Sequence, residues 1–134
     1  MKNKLLFSLL MLLLISCNTL NEKPQNSNLE SVFLEDNNVD LGKIDHTDLQ
    51  SIPVSIHNSS NKKIEIVDIS KSCGCTKVSL KKRSINPNSG LSFTLKYDPE
   101  NDSGKISKSV VLRLSNDNFL IFKFKGIVTN KKES

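Results

Sequence analysis

Two cysteines separated by a single glycine, in Ser72-Cys73-Gly74-Cys75-Thr76, carry the chemistry in this 134-residue chain. If the segment stays extended, Cys73 and Cys75 point to one face, and Gly74 allows a conformation that a residue with Cβ would resist. Three readings of the pair stay open. A disulfide across one residue closes almost no loop, so it is no framework staple; its small ring is strained and easily reduced, which suits a thiol–disulfide couple. Two adjacent thiolates also suit Cu(I) or Zn(II). A closed zinc site needs four ligands, and the chain adds only His46 and His57. His46 sits in the polar turn Asp45-His46-Thr47-Asp48, and His57 has the opposite parity to Ile52, Val54 and Ile56, so both read as surface histidines. The third reading is structural: a bend carrying the chain between two sheets, filled by two small, soft side chains. No nucleophile elbow, phosphate-cradling glycine loop or metal-ligand helix occurs. The sequence therefore assigns no catalytic residue, cofactor or small-molecule substrate, and it leaves the metal question unanswered.

The third cysteine has another setting. Met1, Lys2 and Lys4 precede an apolar run from Leu5 to Ile15 broken only by Ser8, and Ser16-Cys17 closes it. This pattern is a secretory signal peptide, too short for a mature membrane span. Its end resembles a bacterial lipobox, which implies cleavage after Ser16 and a diacylglycerol on Cys17. The expected organisation is a lipoprotein signal peptide over 1–16, the lipidated Cys17 and a flexible tether over 17–29, a β domain over 30–130 and a polar tail over 131–134. Asn18 follows the lipidated position, and by resemblance to known sorting rules that favours an outer-membrane anchor in a bacterial cell envelope, facing the periplasm or the surface.

Removing residues 1–16 from 134 leaves 118, enough for one domain with a core of its own. That mature chain has 17 basic against 14 acidic residues, a mild surplus. Its basic clusters, Lys81-Lys82-Arg83 and Lys131-Lys132, read as solubilising charge. One Tyr, no Trp and no basic helix exclude a nucleic-acid binder.

The elements that must position the cysteines are strands. Ile52, Val54 and Ile56 alternate with polar residues, as do Leu91, Phe93, Leu95 and Tyr97. Ile106, Lys108, Val110, Leu112 and Leu114 share one parity, with Lys108 the exception to an apolar row. Pro53 removes a ladder donor and marks an edge or a bulge. Turn signals stand at Asn58-Ser59-Ser60-Asn61, Asn86-Pro87-Asn88-Ser89-Gly90, Asp98–Gly104 and Asn116-Asp117-Asn118. No later stretch has helical periodicity. Seven to eight strands predict an immunoglobulin-like antiparallel β-sandwich. The expected core is Ile52, Val54, Ile56, Ile64, Ile66, Phe93, Leu95, Val110, Leu112, Phe122 and Phe124.

VDLGKID (39–45), IPVSIHNSSNKKIEIVDI (52–69), SCGCT (72–76), INPNSGLSFTLKYDP (85–99) and GKISKSVVLRLSND (104–117) together resemble the bacterial family called domain of unknown function 1573. The resemblance implies an envelope protein with an immunoglobulin-like sandwich, similar to modules of cilia- and centrosome-associated proteins and of major sperm protein. It implies no reaction, and it marks Cys73 and Cys75 as signature positions without giving their role. The functional expectation is a lipid-anchored, non-enzymatic binding or scaffold module that meets an envelope partner by strand pairing. The alternative is an envelope thiol-redox or copper/zinc-binding protein using Cys73 and Cys75.

Overall fold

The computed structural model describes residues 31–130. The expected signal peptide, Cys17, the expected tether and the tail 131–134 lie outside the described residues. Within them the chain forms nine strands: β1 (Val32–Leu34), β2 (Asn38–Asp45), β3 (Gln50–Asn58), β4 (Ile64–Lys71), β5 (Thr76–Ser79), β6 (Ser84–Ile85), β7 (Ser89–Tyr97), β8 (Gly104–Leu114) and β9 (Phe119–Thr129). They make two layers, a four-stranded sheet in the order β1-β3-β7-β5 and a five-stranded sheet in the order β2-β9-β8-β4-β6. Pairing is antiparallel except that β2 runs parallel to β9. β6 is a two-residue strand that no alternation announces.

Period-two alternation decides which face each strand buries. All eleven expected core residues are buried between the sheets, joined by Val32, Ile44, Ile85, Tyr97, Ile106, Leu114 and Val128. Each fully buried Leu, Ile or Phe contributes roughly 1.5–3 kcal/mol relative to exposure, so this interior is the main stabilising element.

Two bulges reset the parity where the sequence pattern changes phase. In β4 the register slips between Ile66 and Asp68, so Ile64 and Ile66 point inward, Val67 turns out to solvent, and Ile69 packs against the core. In β2 the register slips between Asp40 and Lys43 opposite Gly126. Gly42 there has φ +66°, and its N–H donates to Asp40 Oδ1 at 2.9 Å, which holds the Asp40 carboxyl below its ordinary range. Val39 and Leu41 face the core before this bulge, and Ile44 after it.

Gly74 behaves differently from its sequence reading. It lacks a positive φ, and a Cβ built on it meets nothing within 4 Å. The turn does not require glycine there. Gly74→Ala should therefore leave stability unchanged within about 0.5 kcal/mol, whereas Gly42→Ala should destabilise by about 1 kcal/mol from left-handed strain. Paired urea melts of the two variants check the contrast.

Pro53 lies where the β3 edge is open. β1 covers only Ile56–Asn58 of β3, and the Glu35 N–H donates to Ser55 O just beyond it. Pro53 has the parity of Ser55, so its donor-less nitrogen faces the open edge rather than β7.

Candidate functional site

The segment Ser72–Cys75 joins β4 of the five-stranded sheet to β5 of the four-stranded sheet, so the CGC turn is where the chain crosses between layers. Both ends of the crossing are fixed. Ser72 N–H donates to Ser109 O at 3.0 Å, and Ser72 Oγ accepts from Ser109 N–H at 2.9 Å. On the other sheet, Asp98 N–H donates to Cys75 O at 2.9 Å. Cys73 and Cys75 are joined by a disulfide with their Cα atoms 5.2 Å apart. Both are partly exposed, and Cys75 also packs against the core. Cys73 Sγ lies 3.6 Å from the buried Thr76 hydroxyl.

The disulfide borders an open cleft of about 800 Å³, whose walls include Lys77, Lys96, Asp98, Asp102 and Lys108. The alternation of β8 explains part of this wall. Lys108 occupies an inward position, and its side chain is largely covered because its ammonium finds Asp102, with Nζ 3.0 Å from Oδ1 and 2.9 Å from Oδ2. Tyr97, fully buried at the end of β7, donates its phenol O–H to Asp102 Oδ2 at 2.7 Å. Burial pushes the Asp102 carboxyl up, but hydrogen bonds from Lys108 and Tyr97 with the Lys108 charge outweigh it and hold the carboxyl below its ordinary value. The Tyr97 phenol moves the other way: burial, its hydrogen bond to Asp102 and the nearby negative charges all raise it.

Lys77 and Lys96 are cross-strand partners in the β5–β7 pairing. Neither makes a salt bridge or side-chain hydrogen bond among the described residues. Like charges directly opposite one another in an antiparallel pair are destabilising. The sequence shows two scattered lysines; only the strand register makes them neighbours. Lys108 was visible as the polar break in an apolar row, whereas nothing local marked Asp102 as its partner.

The two histidines stand away from the cleft. His57 faces outward, its ring stacked on Phe33 with centroids 5.4 Å apart, and its Nε2 lies 3.7 Å from Glu35 Oε2. His46 sits in the turn after β2 with Nδ1 3.2 Å from Asp45 Oδ1. Among the described residues no group of three or more His, Cys, Asp or Glu could hold a metal ion. Arg83 of the basic cluster reaches Ile66 O at 3.4 Å. Cys17 and Lys131-Lys132 lie outside the described residues. Among the described residues no helix is long and apolar enough to cross a membrane.

Two layers of this topology define an all-β sandwich of the immunoglobulin-like type shared by PapD-like and major-sperm-protein domains. A PapD-like domain of human CEP192 superposes with a TM-score of 0.63 at 7% identity over 76% of this chain and 87% of that one. WR4, a C. elegans MSP family member, gives 0.53 at 9% identity over 74% and 98%. A protein of unknown function from Porphyromonas gingivalis W83 gives 0.63 at 12% identity, covering 79% of this chain but 51% of that one, so this chain spans about half the length of that relative. At these identities the likeness establishes the fold. No curated protein matches the chain. The chain belongs to the family described as protein of unknown function (DUF1573), which it matches over residues 32–128.

Proposed function

We propose that this protein is a lipid-anchored binding or scaffold module of the bacterial cell envelope that takes up an extended segment of a partner protein by strand addition. One observation carries the reading: two unpaired strand edges lie together beside the CGC crossing. β6 pairs only with Ile64 and Glu65 of β4, and β5 pairs only with β7. Just past β4, Ser72 N–H points to β8, so by alternation Ile69 and Lys71 turn their main-chain groups outward. Just before β5, Cys75 O points to β7, so Thr76 and Val78 turn theirs outward. The short link from Lys71 to Thr76 keeps both edges on the same side of the sandwich. Unpaired main-chain donors and acceptors of this kind template an added strand.

The anchor rests on the sequence: a charged start, an apolar run and Cys17 in a lipobox-like setting support lipid attachment, and Asn18 after it favours the outer membrane. The test uses the full chain made in a bacterial envelope. Cys17→Ser should lose the mass of the lipid and leave the membrane fraction. Lys71→Pro removes an outward donor without touching the β8 ladder, so it should keep lipid, fold and disulfide but lose the co-purifying partner. Retention of the same partner by Lys71→Pro would contradict the edge reading, and an unmodified Cys17 would contradict the anchor.

A further inference from the structure

We infer that the Cys73–Cys75 disulfide is a thiol–disulfide exchange centre and that its cleft takes an anionic thiol, with Lys77 and Lys96 drawing the carboxylate. Three observations converge. The disulfide spans one residue and closes a small ring, so it constrains the unfolded chain very little; the crossing is already held by hydrogen bonds from Ser72, Ser109 and Asp98. Both cysteines are partly exposed and border the cleft, where an incoming thiolate can reach them; exposed disulfides are the labile ones. Lys77 and Lys96 stand opposite each other without an anionic partner among the described residues, an arrangement a bound carboxylate would neutralise. Asp98 lines the same cleft, but Lys108 already compensates Asp102, so the lysine pair still leaves the wall net positive.

The exchange balances without further reagents than the thiol itself. A substrate thiolate attacks Cys73 Sγ, since Cys75 is the one that packs on the core. The Cys73–Cys75 bond breaks, and Cys75 leaves as a thiolate that takes a proton from solvent. A second substrate thiolate attacks the substrate sulfur of the mixed disulfide, releasing the oxidised disulfide of the substrate and Cys73 as a thiolate. The Thr76 hydroxyl, 3.6 Å from Cys73 Sγ, is placed to donate to that thiolate, and the neighbouring lysines favour its charged form. Two thiols are oxidised and one protein disulfide is reduced; the reverse sequence oxidises the protein at the expense of a disulfide.

The chain from Asn18 to Ser134 keeps every described strand and serves for the test. Disulfide opening is followed by acid quench, alkylation and intact mass, with mercaptosuccinate, 2-mercaptoethanol and cysteamine as anionic, neutral and cationic probes. Rates are corrected for each probe's thiolate fraction and intrinsic basicity. At low ionic strength mercaptosuccinate should react roughly tenfold faster than 2-mercaptoethanol, with cysteamine slowest. Lys77→Gln combined with Lys96→Gln should erase that order, as should high salt, while Lys43→Gln on β2 leaves it intact. The double variant relieves like-charge repulsion, so it should melt at the same or a higher temperature, which separates lost steering from lost fold. Corrected rates with no charge order would overturn the anion site. A disulfide that resists all three thiols in the folded protein would overturn the exchange centre, without bearing on partner binding at the β4 and β5 edges.

Discussion

Replacing Asn58 with Asp should destabilise the domain by about 3 kcal/mol or more, because a buried charge would replace a buried donor. Asn58 is 1% exposed at the end of β3. Its Nδ2 donates to the carbonyls of Lys62, Ile85 and Asn86 at 2.8, 3.2 and 3.1 Å. Its Oδ1 accepts from the Ser60 N–H at 3.1 Å and the Ser60 hydroxyl at 2.6 Å. One side chain thus closes the β3–β4 turn and ties it to the segment after β6. An aspartate keeps the acceptor but points a carboxylate at three carbonyls with nothing to donate. Protonation would restore one donor, so its folded-state pKa would be raised. The deficit should accordingly be full above that raised value, shrink as pH falls from it toward the ordinary aspartate value of about 4, and level off below. Urea unfolding at acid and neutral pH measures both. A neutral-pH deficit below 1 kcal/mol would contradict the role assigned to this amide.

Tyr97→Ala should destabilise by about 3–5 kcal/mol, while Tyr97→Phe should lose only about 1–2 kcal/mol. The ring is fully buried and lies against Phe124, with centroids 5.1 Å apart, so truncation opens a cavity in the core. Phenylalanine keeps the ring and removes only the hydrogen bond to Asp102. The two variants should also differ from the parent in their pH profiles. Asp102 has a depressed carboxyl in the folded protein; its contribution is present above the ordinary carboxyl value and is lost as pH falls through the folded one. Tyr97 has a raised phenol; its contribution is complete below the ordinary value of 10.0 and is lost as pH rises beyond it. Tyr97→Phe should therefore abolish the alkaline loss and weaken the acid one. An unchanged alkaline limb in Tyr97→Phe would assign that limb to another group.

These two residues also mark what was legible in the chain. The period-two rows in β3, β7, β8 and β9 placed the interior correctly, because one face of each strand must be apolar for two layers to close. The polar turns fell where expected: Asp117 and Asn88 adopt positive φ in the two asparagine-rich turns. Asn58-Ser59-Ser60-Asn61 read only as a turn, since composition gives no sign that an asparagine side chain will be covered. Ile85 was missed because a two-residue strand shows no alternation. A sheet crossing at SCGCT was one of three readings left open, and its lysine wall was in none of them. Lys77 and Lys96 become neighbours only through the β5–β7 register, and the Tyr97–Asp102–Lys108 cluster only through the meeting of a turn with β8. Long-range pairing of this kind is set by the whole sandwich rather than by any local signal.

The central claim is that the β4 and β5 edges beside the CGC crossing receive a partner's strand. The most direct measurement is site-specific photo-crosslinking in cells, with the photoreactive residue placed at Lys71 on the β4 edge and, in a parallel strain, at Lys105 on the outward face of β8. The account predicts one discrete protein adduct from position 71 and none of that mass from position 105. No adduct at 71, or the same adducts from both positions, would contradict it.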